Sequence, residues 1–544
     1  MKAMRFIRIH KQPQTLKDML ARTVQNHRRV LAFSFVDKSV SYTYGEFQKK
    51  IDELSNLFVQ YGFKKHEHIA LLSQNMPNWP VAYFSMVTTN HVVVPLLTEL
   101  SPSEIETVLL HSETRGIFVS RRLYAKLTEK IIDRMTLIVC VDDFSILKGK
   151  LVNFEGENTE PMPDDLAALI YTSGTTGTPK GVMLTHKNIC SSAYSGYRLQ
   201  PINPKDTWLS ILPLAHTYEA TISMMMPVLA GGTVYYISKL PTPQILFDSI
   251  KKIRPHIILS VPLVIEKIVK KFNAEIKKRL DKKTWLKKFS LTFPNLFHLF
   301  VQSKFTKLFG GRLFFFGIGG AKLNGDTEQF LADMNFPYAI GYGLTEAAPL
   351  ICGCGPYHTR VGSMGTPMSG VSVKLIDVDP VTGEGEIVAK GDNIMKGYYK
   401  NPQATKAAFT EDGWFKTNDL CFVDENGWYY HKGRLNNVVV GASGENIYLE
   451  DVEQLINANE EVDESLVVMK QGKLTALIKY RDDILATLQK GTDEAKEKLD
   501  ALSKAILQRV NAKLSAASQV YNVEIQWNPF IKTATHKIKR FMYQ

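Results

Sequence analysis

The segment with the clearest chemical signal is Tyr171-Thr-Ser-Gly-Thr-Thr-Gly-Thr-Pro-Lys-Gly-Val182. Spaced glycines let backbone N–H groups turn toward a phosphate, hydroxyls add donors, and Lys180 adds a positive charge. The spacing is not that of a Walker A loop, because a proline stands where the second glycine of that motif belongs. An apolar strand, Leu166–Tyr171, precedes the loop, and a helix is expected from about Lys187 with Thr185 as its N-cap. The segment is therefore predicted to bind phosphate between a strand and a helix.

Further along the chain, several predicted strands of an α/β sheet end in polar or glycine-bearing loops. The strands are expected at Thr207–Leu212, His256–Val261, Arg312–Ile318 and Tyr338–Gly341. Ligands of open α/β sheets bind at the carboxyl edge of the strands. The loops are therefore predicted to form one composite site at that edge.

Composition excludes several classes of protein. With 544 residues, 44% of them hydrophobic, the chain is too long for one ordinary domain and is globular rather than fibrous or disordered. Its five scattered cysteines predict reduced thiols, not a disulfide framework. No signal-peptide pattern opens the sequence, and the uncharged stretch Ala220–Ser238 is interrupted by Pro227 and Gly231–Gly232. We expect helix, turn and buried strand there, and a cytoplasmic protein.

The phosphate loop resembles that of the adenylate-forming superfamily, which includes acyl-CoA synthetases, firefly luciferase and the adenylation domains of nonribosomal peptide synthetases. Other segments resemble motifs of this family, in the family's order and at its spacing. They are Gly341-Tyr-Gly-Leu-Thr-Glu346, Gly413-Trp-Phe-Lys-Thr-Asn-Asp419, Gly433-Arg434, Gly441-Ala-Ser-Gly-Glu-Asn-Ile447 with Glu450-Asp-Val-Glu453, and Thr533-Ala-Thr-His-Lys-Ile-Lys-Arg540. The matches run from about residue 165 to residue 540.

The resemblance implies a two-step reaction. A carboxylate attacks the α-phosphorus of ATP to give an acyl-adenylate and pyrophosphate, and a thiol then takes the acyl group and releases AMP. Because the first step joins two anions, positive charge and preorganised donors must supply most of the catalysis. The implied cofactors and substrates are ATP, Mg²⁺ and coenzyme A, together with a fatty acid.

The resemblance also assigns residues to this reaction. It gives the polyphosphate to Thr172, Ser173, Gly174, Thr175, Thr176, Gly177 and Lys180, the α-phosphate to Thr345, and Mg²⁺ to Glu346. It gives the adenine to Gly319, Gly320, Ala321, Tyr342 and Gly343, and the ribose to Asp419 with Arg434. Gly441 and Gly444 would face coenzyme A, and Lys537 would be the catalytic lysine that reaches the α-phosphate and the carboxylate.

A further segment, Pro213-Leu-Ala-His-Thr-Tyr-Glu219, resembles the substrate-side motif of long-chain acyl-CoA synthetases. His216 would lie beside the carboxylate, and Tyr218–Met226 would begin the acyl tunnel. The leading hypothesis is therefore an ATP-dependent long-chain fatty acid–CoA ligase. The alternatives are an acyl–acyl carrier protein synthetase, a CoA ligase for another carboxylic acid, and a nucleotide-binding protein without catalysis.

Four positions depart from the family pattern. Asn418 replaces the usual glycine before Asp419, which asparagine can do because it tolerates positive φ. Asn436 stands where the hinge usually has Asp or Lys, and Lys322 and Leu449 each replace a usual proline. None of these changes removes a group that the reaction needs.

The resemblance predicts an α/β fold in two domains. Residues 1–435 would form a large domain of α/β subdomains with a small β-barrel-like part, carrying the ATP, Mg²⁺ and acyl sites. Residues 436–544 would form a small, mobile α+β domain that carries Lys537, with the hinge near Asn436. The oligomeric state is left open.

The net charge of +12 is unevenly distributed. Residues 267–307 hold twelve Lys and Arg against Glu275 and Asp281, a net charge of +10. Ile268, Phe272, Ile276 and Leu280 recur every four residues, which predicts one apolar face of a helix. Two interpretations remain for 264–308: a solvated helix packed on its own domain, or peripheral contact with an anionic membrane. No recognition motif accompanies the charge, so nucleic acid is not expected as a partner.

Overall fold

The computed structural model describes residues 9, 11–152, 160–172, 179–239, 242–440, 446–488, 491–515, 518–533 and 538–544. The first part of the chain alternates helices and strands. They are α1 (Leu16–His27), β1 (Leu31–Phe35), β2 (Ser41–Thr43), α2 (Tyr44–Gln60), β3 (His68–Leu72), α3 (Asn78–Val87), β4 (Val92–Leu96), α4 (Pro102–His111), β5 (Gly116–Val119), α5 (Glu129–Arg134), β6 (Leu137–Cys140) and β7 (Ile146–Gly149).

The middle of the chain contributes most of the remaining elements. As far as β13 they are β8 (Leu166–Thr172), β9 (Lys180–Thr185), α6 (His186–Leu199), β10 (Thr207–Ser210), α7 (Thr217–Ala220), a π-helical segment (Thr221–Met225), α8 (Met226–Ala230), β11 (Thr233–Tyr236), α9 (Pro243–Ile253), β12 (Ile257–Ser260), α10 (Pro262–Lys282), α11 (Thr284–Thr292), α12 (Pro294–Leu308) and β13 (Phe315–Ile318). Then follow α13 (Gly325–Asp333), β14 (Tyr338–Gly343), a 3₁₀ turn (Thr345–Ala347), β15 (Leu350–Cys354), β16 (Thr366–Pro367), β17 (Val371–Ile376), β18 (Gly385–Gly391), β19 (Gly397–Tyr398), α14 (Pro402–Ala407), β20 (Phe415–Val423), β21 (Tyr429–Arg434) and β22 (Val438–Val440). The last part comprises β23 (Asn446–Tyr448), α15 (Leu449–Asn457), β24 (Val462–Lys470), β25 (Lys473–Tyr480), α16 (Asp482–Leu485), α17 (Asp493–Asn511) and β26 (Val520–Ile525).

Two large sheets dominate the fold. One has nine strands in the order β16-β15-β14-β13-β12-β10-β11-β1-β2, and the other has eight in the order β19-β9-β8-β4-β3-β5-β6-β7. The central strands of both sheets are parallel, with antiparallel strands at the edges. The part expected to be barrel-like is a four-stranded antiparallel sheet, β17-β18-β20-β21. The mixed α/β architecture with a smaller C-terminal unit confirms the predicted fold class.

Alternation along the strands decides where the core lies, because successive side chains of a strand point to opposite faces. Trp208 and Leu259 belong to the cluster shared with α1, α2, α3 and α6, which contacts both large sheets. Leu209 and Ile258, one residue away in each case, belong to the opposite cluster beneath α9, α10, α12 and α13. The nine-stranded sheet is therefore covered by helices on both faces, as expected for parallel strands.

The C-terminal unit has a core of its own, in which α15 and α17 cover the three-stranded sheet β24-β25-β26. Its hairpin, formed by β24 and β25, turns at Gln471–Gly472. The stretch 220–238 also has the predicted form, since α8 ends at Gly231 with a φ of 74° and β11 follows. Across the described ranges no helix is both long and apolar enough to cross a membrane.

Candidate active site

Eight of the predicted site residues fall in the ranges for which no structure is described. They are Ser173, Gly174, Thr175, Thr176, Gly177, Gly441, Gly444 and Lys537. Their roles stay predictions from the resemblance. The other twelve lie in described segments, and most of them follow the carboxyl ends of strands β8, β13 and β14 or lie on β20 and β21.

The setting of the phosphate loop differs from the prediction. Thr172 and Lys180 are register partners on antiparallel strands β8 and β9, so the loop joins two strands rather than a strand and a helix. Helix α6 begins only after β9, at His186, where Thr185 caps it by accepting a hydrogen bond from the Asn188 N–H. The predicted cap is therefore correct. The extra strand was missed because Lys180–Thr185 is short and gains its strand character from pairing with β8.

Lys180 and Glu346 meet at one tyrosine that sequence reasoning did not identify. The Lys180 Nζ lies 5.2 Å from the centre of the Tyr398 ring, and the Tyr398 hydroxyl donates a 2.8 Å hydrogen bond to Glu346 Oε1. Burial, together with the charge of Glu346, raises the pKa of Tyr398, so its hydroxyl remains a donor. Tyr398 on β19 thus connects the predicted phosphate-binding lysine to the predicted metal ligand.

Glu346 fits a magnesium ion that arrives with a nucleotide. It lies beside Thr345 in the 3₁₀ turn after β14, and no cluster of three or more His, Cys, Asp or Glu side chains occurs within the described ranges. Mg²⁺ is usually held by one or two carboxylates plus substrate phosphates, rather than by a cage of protein ligands. A single, partly exposed glutamate carboxylate matches that donor set.

A second group of side chains surrounds Asp419, whose side chain is only 2% exposed. The Tyr342 hydroxyl donates a 2.7 Å hydrogen bond to Asp419 Oδ2, while Arg434 Nε lies 3.1 Å and His431 Nε2 3.5 Å from Oδ1. Burial raises the pKa of Asp419, but the contact with His431 and the charge of Arg434 outweigh it and hold the pKa below its usual value. The Asp419 side chain is therefore an ionised carboxylate that can accept hydrogen bonds in the candidate site.

The backbone around Asp419 explains the departure at the preceding residue. Asn418 has a φ of 57°, in the left-handed region where glycine and asparagine are favoured. The predicted tolerance of asparagine is confirmed, and the strand reaches Asp419 with its pairing to Arg434 intact.

The glycines after β13 lie close to the end of the neighbouring strand β14. Gly319 is buried, and a Cβ placed there would come within 3.3 Å of the Gly341 carbonyl oxygen and of the Tyr218 ring. Gly320 has a φ of 88°, and Ala321 beside it is exposed. Close approach of two backbones therefore requires glycine at 319, and the turn that follows favours it at 320.

The predicted substrate-side loop is held by a residue from the N-terminal part of the chain, in which the sequence shows no catalytic or binding motif. Asn75 donates a 2.6 Å hydrogen bond to the Leu212 carbonyl and accepts one of 2.9 Å from the Leu214 N–H. Ser210 donates to the fully buried Glu219 at 2.5 Å, and burial raises the pKa of Glu219 to about 8 despite that hydrogen bond. These contacts fix the loop on both sides of His216, which directly precedes α7.

An apolar cavity of about 30 Å³ opens beside this loop. Its walls come from helices α6, α7 and α8, the π-helical segment, strands β12 to β15 and the loop after β16, including Gly196, Tyr218, Ile222, Phe315, Gly317 and Met368. Because one water needs at least about 10–15 Å³ on this measure, the space holds only a few atoms as it stands. Glycines, aromatic rings and flexible apolar side chains all contribute to its walls.

Comparison with known proteins identifies the family. Residues 20–399 match the family described as "AMP-binding enzyme". The chain is 31% identical over 452 residues to "Fatty acyl-CoA synthetase A" of Dictyostelium discoideum, covering 74% of this chain and 66% of that relative. It is 26% identical over 610 residues to "Long-chain-fatty-acid--[acyl-carrier-protein] ligase AEE15, chloroplastic" of Arabidopsis thaliana, covering 95% and 83%.

Among solved structures, o-succinylbenzoate CoA synthetase (MenE) from Bacillus subtilis in complex with its acyl-adenylate OSB-AMP has the same fold. It aligns with a TM-score of 0.77 and 22% identity over 97% of both chains. The chain thus spans slightly less than two thirds of the length of the slime mould relative, whereas it matches the bacterial structure almost completely. With more than half of its residues matched by one family and its fold shared from end to end, the chain belongs to the AMP-binding enzymes.

Proposed function

We propose that the chain is an ATP-dependent long-chain fatty acid–CoA ligase that forms an acyl-adenylate and then an acyl-CoA. In the first step a carboxylate oxygen attacks the α-phosphorus, the bond from the α-phosphorus to the bridging oxygen breaks, and pyrophosphate leaves with that oxygen. In the second step the coenzyme A thiolate attacks the acyl carbon, and the bond to AMP breaks. Relatives described as fatty acyl-CoA synthetases support the substrate class.

One observation carries the proposal. The Tyr342–Asp419–Arg434 group and the Lys180–Tyr398–Glu346 group flank the turn after β14, and Gly341 at the end of that strand also lines the apolar cavity. The groups proposed as ribose acceptor, cation and metal ligand therefore lie around the strand end that also lines the apolar cavity. That order of polar and apolar groups is what joining a fatty acid to a nucleotide requires.

Each described residue then has a task. Asp419 would accept hydrogen bonds from the ribose hydroxyls, and Lys180 would neutralise the polyphosphate together with the loop 173–178. Glu346 would hold the Mg²⁺, which supplies positive charge to the leaving pyrophosphate when bound. Thr345 would donate to the α-phosphate, and His216 would orient the carboxylate from the loop that Asn75 holds.

Lys537 would complete the site from the C-terminal unit, with a hinge near Asn436. The residues on both sides of it support this placement: Lys532 and Ile538 form a bridge, and Lys539 Nζ lies 3.7 Å from Glu104 on α4. Lys322 also forms a 2.7 Å ion pair with Asp451. The two ion pairs join the C-terminal unit to α4 and to the loop before α13, as delivery of a lysine to the α-phosphate would require.

The acyl acceptor has a second candidate, a carrier protein, because the Arabidopsis relative covering most of the chain is described as an acyl-carrier-protein ligase. Pyrophosphate release should be measured across acids from acetate to stearate and aromatic acids, and the product identified with free coenzyme A and with carrier protein. We expect release with long-chain acids and acyl-CoA as the product. Acyl-carrier protein alone would favour the second candidate, and preference for aromatic or short acids would overturn the long-chain assignment.

A further inference from the structure

Between the neighbouring parallel strands β12 and β13 the chain makes an excursion of three helices. Helices α10 to α12 span residues 262–308 and are called here the basic helical segment. A single helix is enough to connect two parallel strands. The segment is therefore much longer than the connection needs.

Only one side of the segment contributes to the core. Val269 and Phe272 on α10 are buried against the nine-stranded sheet, as are Val301 and Phe305 on α12. Ile268 and Ile276 of the predicted apolar face pack partly against the same cluster. The segment is thus anchored on the nine-stranded sheet through α10 and the second half of α12.

The other side exposes large apolar side chains. Along α11 and the first half of α12 the exposed residues are Trp285 (65%), Leu291 (76%), Phe293 (52%), Leu296 (55%), Leu299 (57%) and Phe300 (39%). Single exposed apolar residues are ordinary, but a run of six on two consecutive helices marks an interaction surface. Residues 285–300 are called the apolar tip.

Positive charge surrounds this tip. Lys282, Lys283, Lys287 and Lys288 are exposed on either side of Trp285. Of the twelve basic residues in 267–307, Arg279 has an ion pair with Glu275, and no ion pair joins the others to any described residue. Most of this positive charge is therefore free to meet an anionic partner.

We propose that the basic helical segment binds the surface of an anionic lipid bilayer, with the apolar tip inserted among the headgroups and the lysines beside lipid phosphates. An acidic protein could pair with the lysines, but it would need a matching apolar surface for six large side chains. A bilayer interface satisfies both features at once, and tryptophan favours that interface. This surface lies outside the proposed nucleotide site and requires neither ATP nor an acid.

The surface is remote from the apolar cavity. Leu259 on β12 and Phe315 on β13 line the cavity and pack on one face of the nine-stranded sheet, whereas α10 and α12 pack on the opposite face. The sheet therefore separates the basic helical segment from the cavity.

Sedimentation with sucrose-loaded vesicles tests the surface without any substrate. We expect the full chain to bind phosphatidylcholine vesicles containing phosphatidylserine at least about tenfold more tightly than phosphatidylcholine alone, and to lose that preference in high salt. Changing Lys282, Lys283, Lys287 and Lys288 together to Gln should weaken binding about tenfold or more. The matched control changes Lys496, Lys498, Lys504 and Lys513, exposed on and just after α17, to Gln and should bind as the parent does.

Insertion of the tip has a separate readout. Tryptophan fluorescence of the parent should shift to the blue on addition of anionic vesicles, and Trp285→Phe should bind but lose most of that shift. Equal binding by the two quadruple variants, absence of vesicle binding, or capture by an acidic carrier protein but not by vesicles would each overturn the proposal. Pyrophosphate release from a soluble acid, measured in parallel, shows that each variant is folded and tests the ligase independently.

Discussion

The proposed nucleotide side of the candidate site holds its polar groups in fixed contacts, whereas the proposed acid side is an apolar cavity lined by glycines and flexible side chains. Asp419 is almost fully buried and keeps its charge through Tyr342, His431 and Arg434. The cavity on the other side has glycines in its walls and only about 30 Å³ of space. The orientation of hydrogen bonds and charges therefore determines what binds on the nucleotide side, and the cavity volume determines what binds on the other side. Substitutions on the two sides should change different kinetic constants.

The largest effect is expected for Lys537→Ala, which tests whether the nucleotide side needs a charge from the C-terminal unit. Loss of one preorganised donor should lower the rate of adenylation about 10²-fold or more. Thioester formation from supplied acyl-adenylate should survive, because that step does not use the lysine. Pyrophosphate release and single-step thioester assays measure the two halves separately.

Lys470→Ala, which removes an exposed ion pair with Glu524 inside the C-terminal unit, is the control and should reduce adenylation much less. Equal loss in both half-reactions of Lys537→Ala would instead mean that the lysine supports the structure.

Asp419→Asn removes the charge at the centre of the fixed polar contacts and tests whether they bind ATP. A hydrogen bond to a charged group contributes about 1.5–3 kcal/mol, so the KM for ATP should rise about tenfold or more while the KM for the acid stays unchanged. Initial rates of pyrophosphate release, with ATP and the acid varied in turn, measure both constants.

Asp424→Asn is the matched control, since Asp424 follows the same strand but pairs with Arg360 at 2.8 Å on the surface. If the KM for the acid rose as much as that for ATP, the two sides would not be separable.

Gly196→Ala changes the volume of the acid side from helix α6. The added Cβ would lie 3.1 Å from Ile222 Cδ1 and 3.3 Å from Met226 Sδ, both of which are flexible side-chain ends. Excluding one methylene should cost about 0.8 kcal/mol, or about fourfold in kcat/KM, for the longest acid accepted. Shorter acids and the KM for ATP should be unaffected in the same acid panel.

Gly325→Ala, at the start of α13 with no atom within 4 Å of the added Cβ, is the control. An equal decrease of kcat/KM for all acids in Gly196→Ala would show that the cavity does not determine the chain length accepted.

The smallest effect on catalysis is expected for Glu219→Gln, where the change appears in the pH dependence of stability. The pKa of Glu219 rises from 4.5 to about 8 on folding, because the carboxyl is buried. The folded state therefore binds more protons than the unfolded state in that interval, and the free energy of unfolding falls by up to about 1.4 kcal/mol per pH unit as pH rises. Glutamine does not titrate, so the Glu219→Gln variant lacks this pH dependence of the free energy of unfolding.

Urea unfolding of parent and variant from pH 5 to above pH 8 measures the difference. The stability of Glu219→Gln relative to the parent should increase with pH and level off above about pH 8. Parallel curves for the two proteins would contradict a buried, protonated Glu219.

Several parts of the candidate site could be proposed from the sequence because residue type alone carries their chemistry. The hydroxyls and lysine around 172–180, the glycines after β13, and the acid–arginine pair Asp419 and Arg434 belong to motifs whose spacing survives in the sequence. The N-cap at Thr185 and the positive φ at Asn418 were predictable for the same reason, since both are local properties of a few residues.

Other parts depend on contacts between distant segments. Tyr398 joins Lys180 to Glu346 across more than two hundred residues of chain, and Asn75 holds a loop in another lobe. Nothing in the local sequence around either residue signals that contact. The strand β9 was missed because its pairing partner, and not its own residues, determines its conformation.

The amino-acid sequence by itself determined the family and the supply of charge and apolar residues in 267–307. Such properties follow from residue type and local spacing, which do not depend on the rest of the fold. The tertiary structure alone decided which groups meet at the end of β14, how small the apolar cavity is, and which apolar residues of α10–α12 are buried and which are exposed. Those outcomes depend on how sheets and helices pack, because burial and distance arise from the whole chain at once.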